Sequence, residues 1–135
     1  MVVPSSDLDV AGHLALAREQ IAYADWLATS GRADPVTVGW AITAVYYAAL
    51  HAASGYVLAR HGDRVATHAD RDRWFRPGGF PEFSRVDRTD YLDLKRQSEA
   101  ARYHGQIFGW PDFAKLRARA AQFVAKFSGR TASRS

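Results

Sequence analysis

The chain predicts an all-α fold, an antiparallel bundle of four to five helices, and three observations carry that prediction. Apolar residues recur at spacings of three and four in separate stretches, no stretch alternates with period two for long, and Val36 to Ala59 contains no Asp, Glu, Lys or Arg. A charge-free segment of this length would suit a membrane span. It also carries Thr37, Thr43, Tyr46, Tyr47, His51, Ser54 and Tyr56, whose polar groups are costly in lipid, so it reads as the buried central rod of a soluble bundle.

The first helix is expected over about residues 7–30. Ser5, Ser6 and Asp7 offer an N-cap, Leu14, Ala17, Ile21, Ala24 and Leu27 share a face, and Gly31 suits the left-handed residue beyond the end. Asp34 and Pro35 then restart the chain as N-cap and N1, and the second helix runs without a breaker to His61, where Gly62 stops it. After Arg64, Val65 and Ala66, the run Thr67 to Asp70 resembles a capping box and predicts a brief helix over about 67–75. Pro77, Gly78, Gly79, Phe80 and Pro81 form a loop, the one place where a mobile flap is expected.

A fourth helix is expected from Asp87 or Asp90 to Tyr103, with Tyr91, Leu94, Ser98 and Ala101 on one face. The fifth spans about 111–127, with Phe113, Leu116, Ala120, Phe123 and Phe127 inward and Lys115, Arg117, Arg119 and Lys126 pointing elsewhere. Residues 1–127 thus make one helical domain, and 128–135, without an apolar anchor, are expected to form a flexible basic tail.

Composition narrows the chemistry. With no cysteine among 135 residues there is no disulfide, thiolate nucleophile or iron–sulfur cluster, so any catalysis falls to His, Arg, Asp, Glu, Ser or Tyr. HxxxH, HExxH, GxGxxG, P-loop and GxSxG motifs are absent, and neither a metal nor a cofactor is expected. The opening residues lack a basic region followed by an apolar one, so a cytoplasmic protein is expected. The formal charge of +4 is uneven: −3 over residues 1–59, +2 over 60–111 and +5 over 112–135. An arginine-rich last helix is either a solvated face or the footprint of an anionic partner such as RNA, DNA or a nucleotide. In the second case His68, Arg71, Arg117 and Arg119 are the candidate contacts.

Thr43, Tyr47, His51 and Ser54 stand at helical spacing and make a polar stripe on an apolar rod. Buried polar groups cost roughly 1–3 kcal/mol each when unpaired, so this stripe must bond to neighbouring helices, line a dimer seam or face a polar cleft. His104 follows Arg102 and Tyr103 at a helix end, where the helix dipole favours an imidazole. An imidazole acting as base and then acid, beside a guanidinium holding phosphorane oxygens, suffices for metal-free RNA cleavage through the 2′-hydroxyl.

The run from Trp40 to Ala53, containing Tyr46, Tyr47 and His51, followed by Thr67-His68 and by Tyr91 to Tyr103 with its Ala101-Arg102-Tyr103 end, resembles a HEPN domain over about residues 10–125. The resemblance implies an antiparallel bundle that pairs as a two-fold homodimer. It also implies either a metal-independent ribonuclease of toxin–antitoxin or defence systems, or a nucleotide-binding or non-catalytic partner of a nucleotidyltransferase or antitoxin. His104 and Arg102 are then the candidate catalytic pair. Nuclease members carry an arginine four to six residues ahead of the histidine. Here Ser98 occupies the arginine's place, Arg102 is two positions before His104, and Arg64 is too close to His68. Two functions follow as expectations: a dimer that binds or cleaves RNA or nucleotides, and a non-catalytic interaction module.

Overall fold

The computed structural model describes residues 8–64 and 67–132, and among these there are five helices and no strand. They are α1 (Val10–Ala28), α2 (Pro35–His61), α3 (His68–Trp74), α4 (Arg85–Tyr103) and α5 (Trp110–Ala132).

Each start has a chemical cause. Asp9 caps α1 by accepting from the Gly12 amide at 2.6 Å, while the expected Ser5–Asp7 cap lies outside the described residues. Asp34 caps α2 ahead of Pro35, Gly62 closes it with a left-handed φ of 66°, and Thr67 caps α3. Helix α4 starts before Asp87 because Ser84 and Asp87 cap each other reciprocally: each backbone N–H donates to the other's side chain, at 2.9 and 3.1 Å. This Ser-x-x-Asp signal is present in the sequence and marks the true start.

The expected loose tail after residue 127 is helical to Ala132. Gly129 costs a helix roughly 1 kcal/mol. Against that, Thr131 is buried and donates to the Phe127 carbonyl at 2.7 Å, and the Arg130 guanidinium lies 5.2 Å over the Phe127 ring. Residues 133–135 of that expected tail lie outside the described residues.

Residue pairs fix the register. His13 meets His51, Tyr46 meets Tyr91, and Asp93 and Asp87 meet Arg119 and Lys126. With Gly55 against Val10 and Gly39 against Ala101, each of these interfaces sets rising numbers on one helix against falling numbers on the other, so α1, α2, α4 and α5 run up, down, up and down. Helix α2 is the rod around which α1, α4 and α5 pack. By length and composition it is apolar enough to cross a membrane, yet 83% of its most apolar window is buried inside the bundle. Gly55 lets α1 come close: a Cβ there would stand 3.1 Å from the His13 Cβ.

Aromatic rings fill the far end of the bundle. Phe75 stacks on Tyr91 with centroids 3.8 Å apart, and Phe83, Phe123, Phe127 and Tyr56 continue the cluster. The loop expected to be a mobile flap is pinned to this end: Phe80 stacks on His61 at 4.1 Å, and Phe83 just beyond it is fully buried.

Candidate functional site: a cleft between α2, α3 and α4

The polar stripe of α2 meets different surroundings along its length. Thr43 is buried and donates to the Gly39 carbonyl one turn back at 2.9 Å. His51 and Ser54 are buried against α1 and α3: His51 Nδ1 is 3.1 Å from His13 Nδ1, and Ser54 Oγ accepts from Arg71 Nε at 3.1 Å. Burial, with Arg71 nearby, brings the pKa of His13 and of His51 down to about 4. Both imidazoles are therefore neutral at pH 7, and in their mutual hydrogen bond one Nδ1 donates and the other accepts.

Tyr47, on the same stripe, is half-buried and faces a cavity of about 260 Å³ lined by Tyr46, Tyr47, His68, Lys95, Glu99, Arg102 and Tyr103. Three helices supply it: α2 the tyrosine pair, α3 the histidine at its first turn, and α4 the remaining four on its last three turns. The Tyr47 ring stands between the two groups of greatest chemical interest. Its centroid is 6.3 Å from that of His68 and 5.9 Å from the Arg102 guanidinium carbon.

Arg102 has neutral partners. Its Nε donates to the Ser98 carbonyl at 3.3 Å, and its two Nη groups reach the Ser98 and Tyr103 hydroxyls at 3.4 Å. The guanidinium carbon sits 4.8 Å from the Tyr103 ring centroid, within cation–π range. Lys95, the other cation of the cleft, is already held by Asp72 at 2.6 Å and by Glu99 at 3.7 Å. Among the described residues Arg102 makes no salt bridge, and Glu99, the carboxylate lining the cleft, lies against Lys95 instead.

His68 is the second notable group. Burial first, then the Arg71 and Lys95 charges, holds its pKa below the ordinary imidazole value. Its Nδ1 lies 3.3 Å from Tyr46 Oη, which lies 3.3 Å from Tyr91 Oη. Burial raises Tyr46 to about 12 and Tyr91 well above 10, so both phenols stay protonated. If the chain donates from Tyr91 through Tyr46 to His68, the free Nε2 carries the proton and can donate to a ligand. The reverse direction leaves Nε2 as an acceptor.

Ser98 is wholly buried and donates to the Lys95 carbonyl at 2.8 Å. That position points into the bundle. The guanidinium of the cleft comes from Arg102, one turn later, and rests on the serine.

The sequence-predicted residues are thus divided. His68 and Arg102 converge on one cavity, with Tyr47 between them. His104 is exposed, caps the end of α4, and lies outside the residues lining the cleft, so the pair His104 and Arg102 is not gathered into one cavity within the chain. Arg71 is buried against Ser54. Arg117 grips Asp25 with two hydrogen bonds of 3.0 and 2.8 Å, and Arg119 pairs with Asp93 and, at 3.7 Å, with Asp90. Much of the +5 segment is therefore matched by acids of α1 and α4. Sequence reasoning passed over His13, although it sits four residues before the inward Ala17 and so on the same face. It also passed over Lys95 and Glu99, which share the cleft face with Arg102 at four- and three-residue spacing.

Among the described residues, no group of three or more His, Cys, Asp or Glu is placed to hold a metal. No family model, no curated protein and no solved structure matches the chain. The protein is accordingly defined by its own geometry: an all-α bundle with a half-open aromatic and cationic cleft beside its central helix.

Proposed function

We propose that this is a HEPN-like protein that binds the phosphate of RNA or of a nucleotide in the cleft between α2, α3 and α4. The observation that carries the reading is the Arg102 guanidinium, partnered by neutral groups and set in the same cavity as an uncharged imidazole. A guanidinium without a carboxylate partner is matched by a phosphate, which accepts two parallel N–H bonds from it. Tyr47 and Tyr103 beside it add flat aromatic faces. Homodimer formation and a place in a toxin–antitoxin or defence system, with an antitoxin or nucleotidyltransferase as partner, rest on the resemblance alone.

Binding is favoured over cleavage. Phosphodiester cleavage through the 2′-hydroxyl takes a base and an acid. The cleft has one imidazole; its carboxylate, Glu99, is paired with Lys95 at 3.7 Å, and burial raises the Tyr46 phenol to about 12, too weak an acid to serve near neutral pH. A second imidazole, such as His104, enters only if another chain brings it. The competing reading, a non-catalytic interaction module, is supported by exposed Val36, Trp40 and Tyr103 near the cleft.

Titration of labelled single-stranded RNA and of ATP tests the reading. Binding should weaken as salt rises from about 50 to about 200 mM, and Arg102→Ala should weaken it about 10-fold. RNA and ATP that both stay free at the lower salt would overturn the proposal in favour of the interaction module.

A further inference from the structure

The two ends of the bundle expose different chemistry. Among the described residues the exposed aromatics, Tyr23, Trp26, Trp40 and Tyr103, lie on the last turns of α1 and α4 and the first turns of α2, at the cleft end. The opposite end, where α2 finishes, α4 starts and residues 76–84 connect α3 to α4, exposes guanidinium groups instead. Arg76 in that connection and Arg85 at the first position of α4 are exposed, and among the described residues their side chains make no hydrogen bond or salt bridge. Arg88 donates to the Phe83 carbonyl at 3.1 Å and Arg130, near the end of α5, to the Glu82 carbonyl at 3.3 Å, which brings both to the same place. The two acids of residues 76–88 are already engaged. Glu82 lies 2.6 Å from His61 Nε2 and 4.0 Å from Arg60, while Asp87 is buried, caps α4 with Ser84 and holds Lys126. A helix N-terminus carries partial positive charge and favours acids. Arg85 stands there against that preference and bonds to nothing in return, so folding does not account for it.

We propose that this end docks an acidic polypeptide segment of a partner protein, with its carboxylates on Arg76, Arg85 and Arg88 and an aliphatic side chain on Val86. The proposal is independent of what the cleft holds. A guanidinium matches a carboxylate through two parallel N–H bonds, and the exposed cations here are all of that type. Val86 stands among them 66% exposed, and an acidic peptide supplies an apolar side chain to cover it. Other anionic partners fit less well. Unpaired bases are held by stacking, and the exposed rings lie at the other end. A bilayer is entered by a face of several apolar or aromatic residues, whereas Val86 is the large apolar side chain exposed here.

The test titrates the full chain with four probes: a peptide of repeated Glu-Glu-Leu units, its Gln-Gln-Leu counterpart, duplex RNA, and vesicles of phosphatidylserine and phosphatidylcholine in equal parts. The acidic peptide should bind about 10-fold tighter than the neutral one and more tightly than the RNA or the vesicles, and its affinity should fall as salt rises. The double variant Arg76→Glu/Arg85→Glu should lose about 10-fold in affinity for that peptide, while its urea midpoint holds or rises, because position 85 then carries the charge its helix end prefers. Arg76→Lys/Arg85→Lys keeps the charge without the fork and should lose about 3-fold. Arg102→Ala, at the opposite end, should leave peptide binding unchanged. Equal binding of the two peptides, or an affinity indifferent to the charge at positions 76 and 85, would overturn the proposal. Tighter binding of duplex RNA or of vesicles, lost in the Glu double variant, would assign the surface to phosphates and overturn it as well.

Discussion

Two neighbouring parts of the α2 polar stripe carry similar chemistry and meet opposite fates. Toward the C-terminus, His51 and Ser54 are closed over by α1 and α3 and bonded to His13 and Arg71. One turn toward the N-terminus, Tyr47 faces a cleft whose guanidinium has found only neutral partners. At the closed end each polar group was satisfied from within the chain, so its role is to hold helices in register. At the open end, among the described residues, the guanidinium is bonded by neutral groups alone. The lesson is that a polar residue on an apolar helix is informative only together with what covers it.

Four measurements break or sharpen that contrast. The largest effect is expected from Ser98→Arg, which puts a guanidinium at a position with no exposure at all. It should cost about 3–5 kcal/mol in chemical denaturation, as burying a charge without its partner does. A variant that stays fully stable and gains RNA cleavage would show that position 98 reaches the cleft after all.

The closed end should respond to acid. Folded-state pKa values of about 4 for His13 and His51 lie below the unfolded 6.5, so the unfolded chain binds more protons in between. Stability contributed by the pair is complete above pH 6.5 and is lost as pH falls toward 4, by roughly 3 kcal/mol for each imidazole. The double variant His13→Leu/His51→Leu should flatten that slope in urea titrations. An unchanged slope would mean that other groups govern it.

At the open end, Arg102→Ala should reduce RNA affinity about 10-fold and change stability by less than about 0.5 kcal/mol, since it breaks no salt bridge. A stability loss with unaltered affinity would make Arg102 structural, like Arg71. The smallest effect belongs to Arg117→Ala. Its partner Asp25 is nearly half exposed, so about 0.2–1 kcal/mol of stability is at stake. RNA affinity should not move, because Arg117 already holds a carboxylate. A clear loss of RNA binding would restore the last helix as an interface.

Much of the fold was legible because local signals agreed with one another. Asp34-Pro35 and Gly62 bound α2, Thr67 begins α3, and the charge-free run declared which helix would be central. The capping pair Ser84 and Asp87 was also legible, and only the choice of later acids placed the start of α4 too far along. The end of α5 was not, because it depends on Thr131 and Arg130 packing back on Phe127 and the 80s segment. The cleft was half legible: Tyr47, His68 and Arg102 stood out one by one, while Lys95, Glu99 and Tyr103 gain meaning only once α4 lies antiparallel to α2.

The chain by itself determined what is written in periods and caps: helices, their order, and an uncharged rod at the centre, because 3.6-residue spacing and end-capping act over a few residues. Tertiary structure decided which polar groups are spent and which are open. That depends on residues tens of positions apart, such as His13 covering His51 and Asp25 taking Arg117, and on the absence of a salt bridge at Arg102 among the described residues. Coulombic and hydrogen-bond partners are chosen by proximity in space, and no local pattern encodes that.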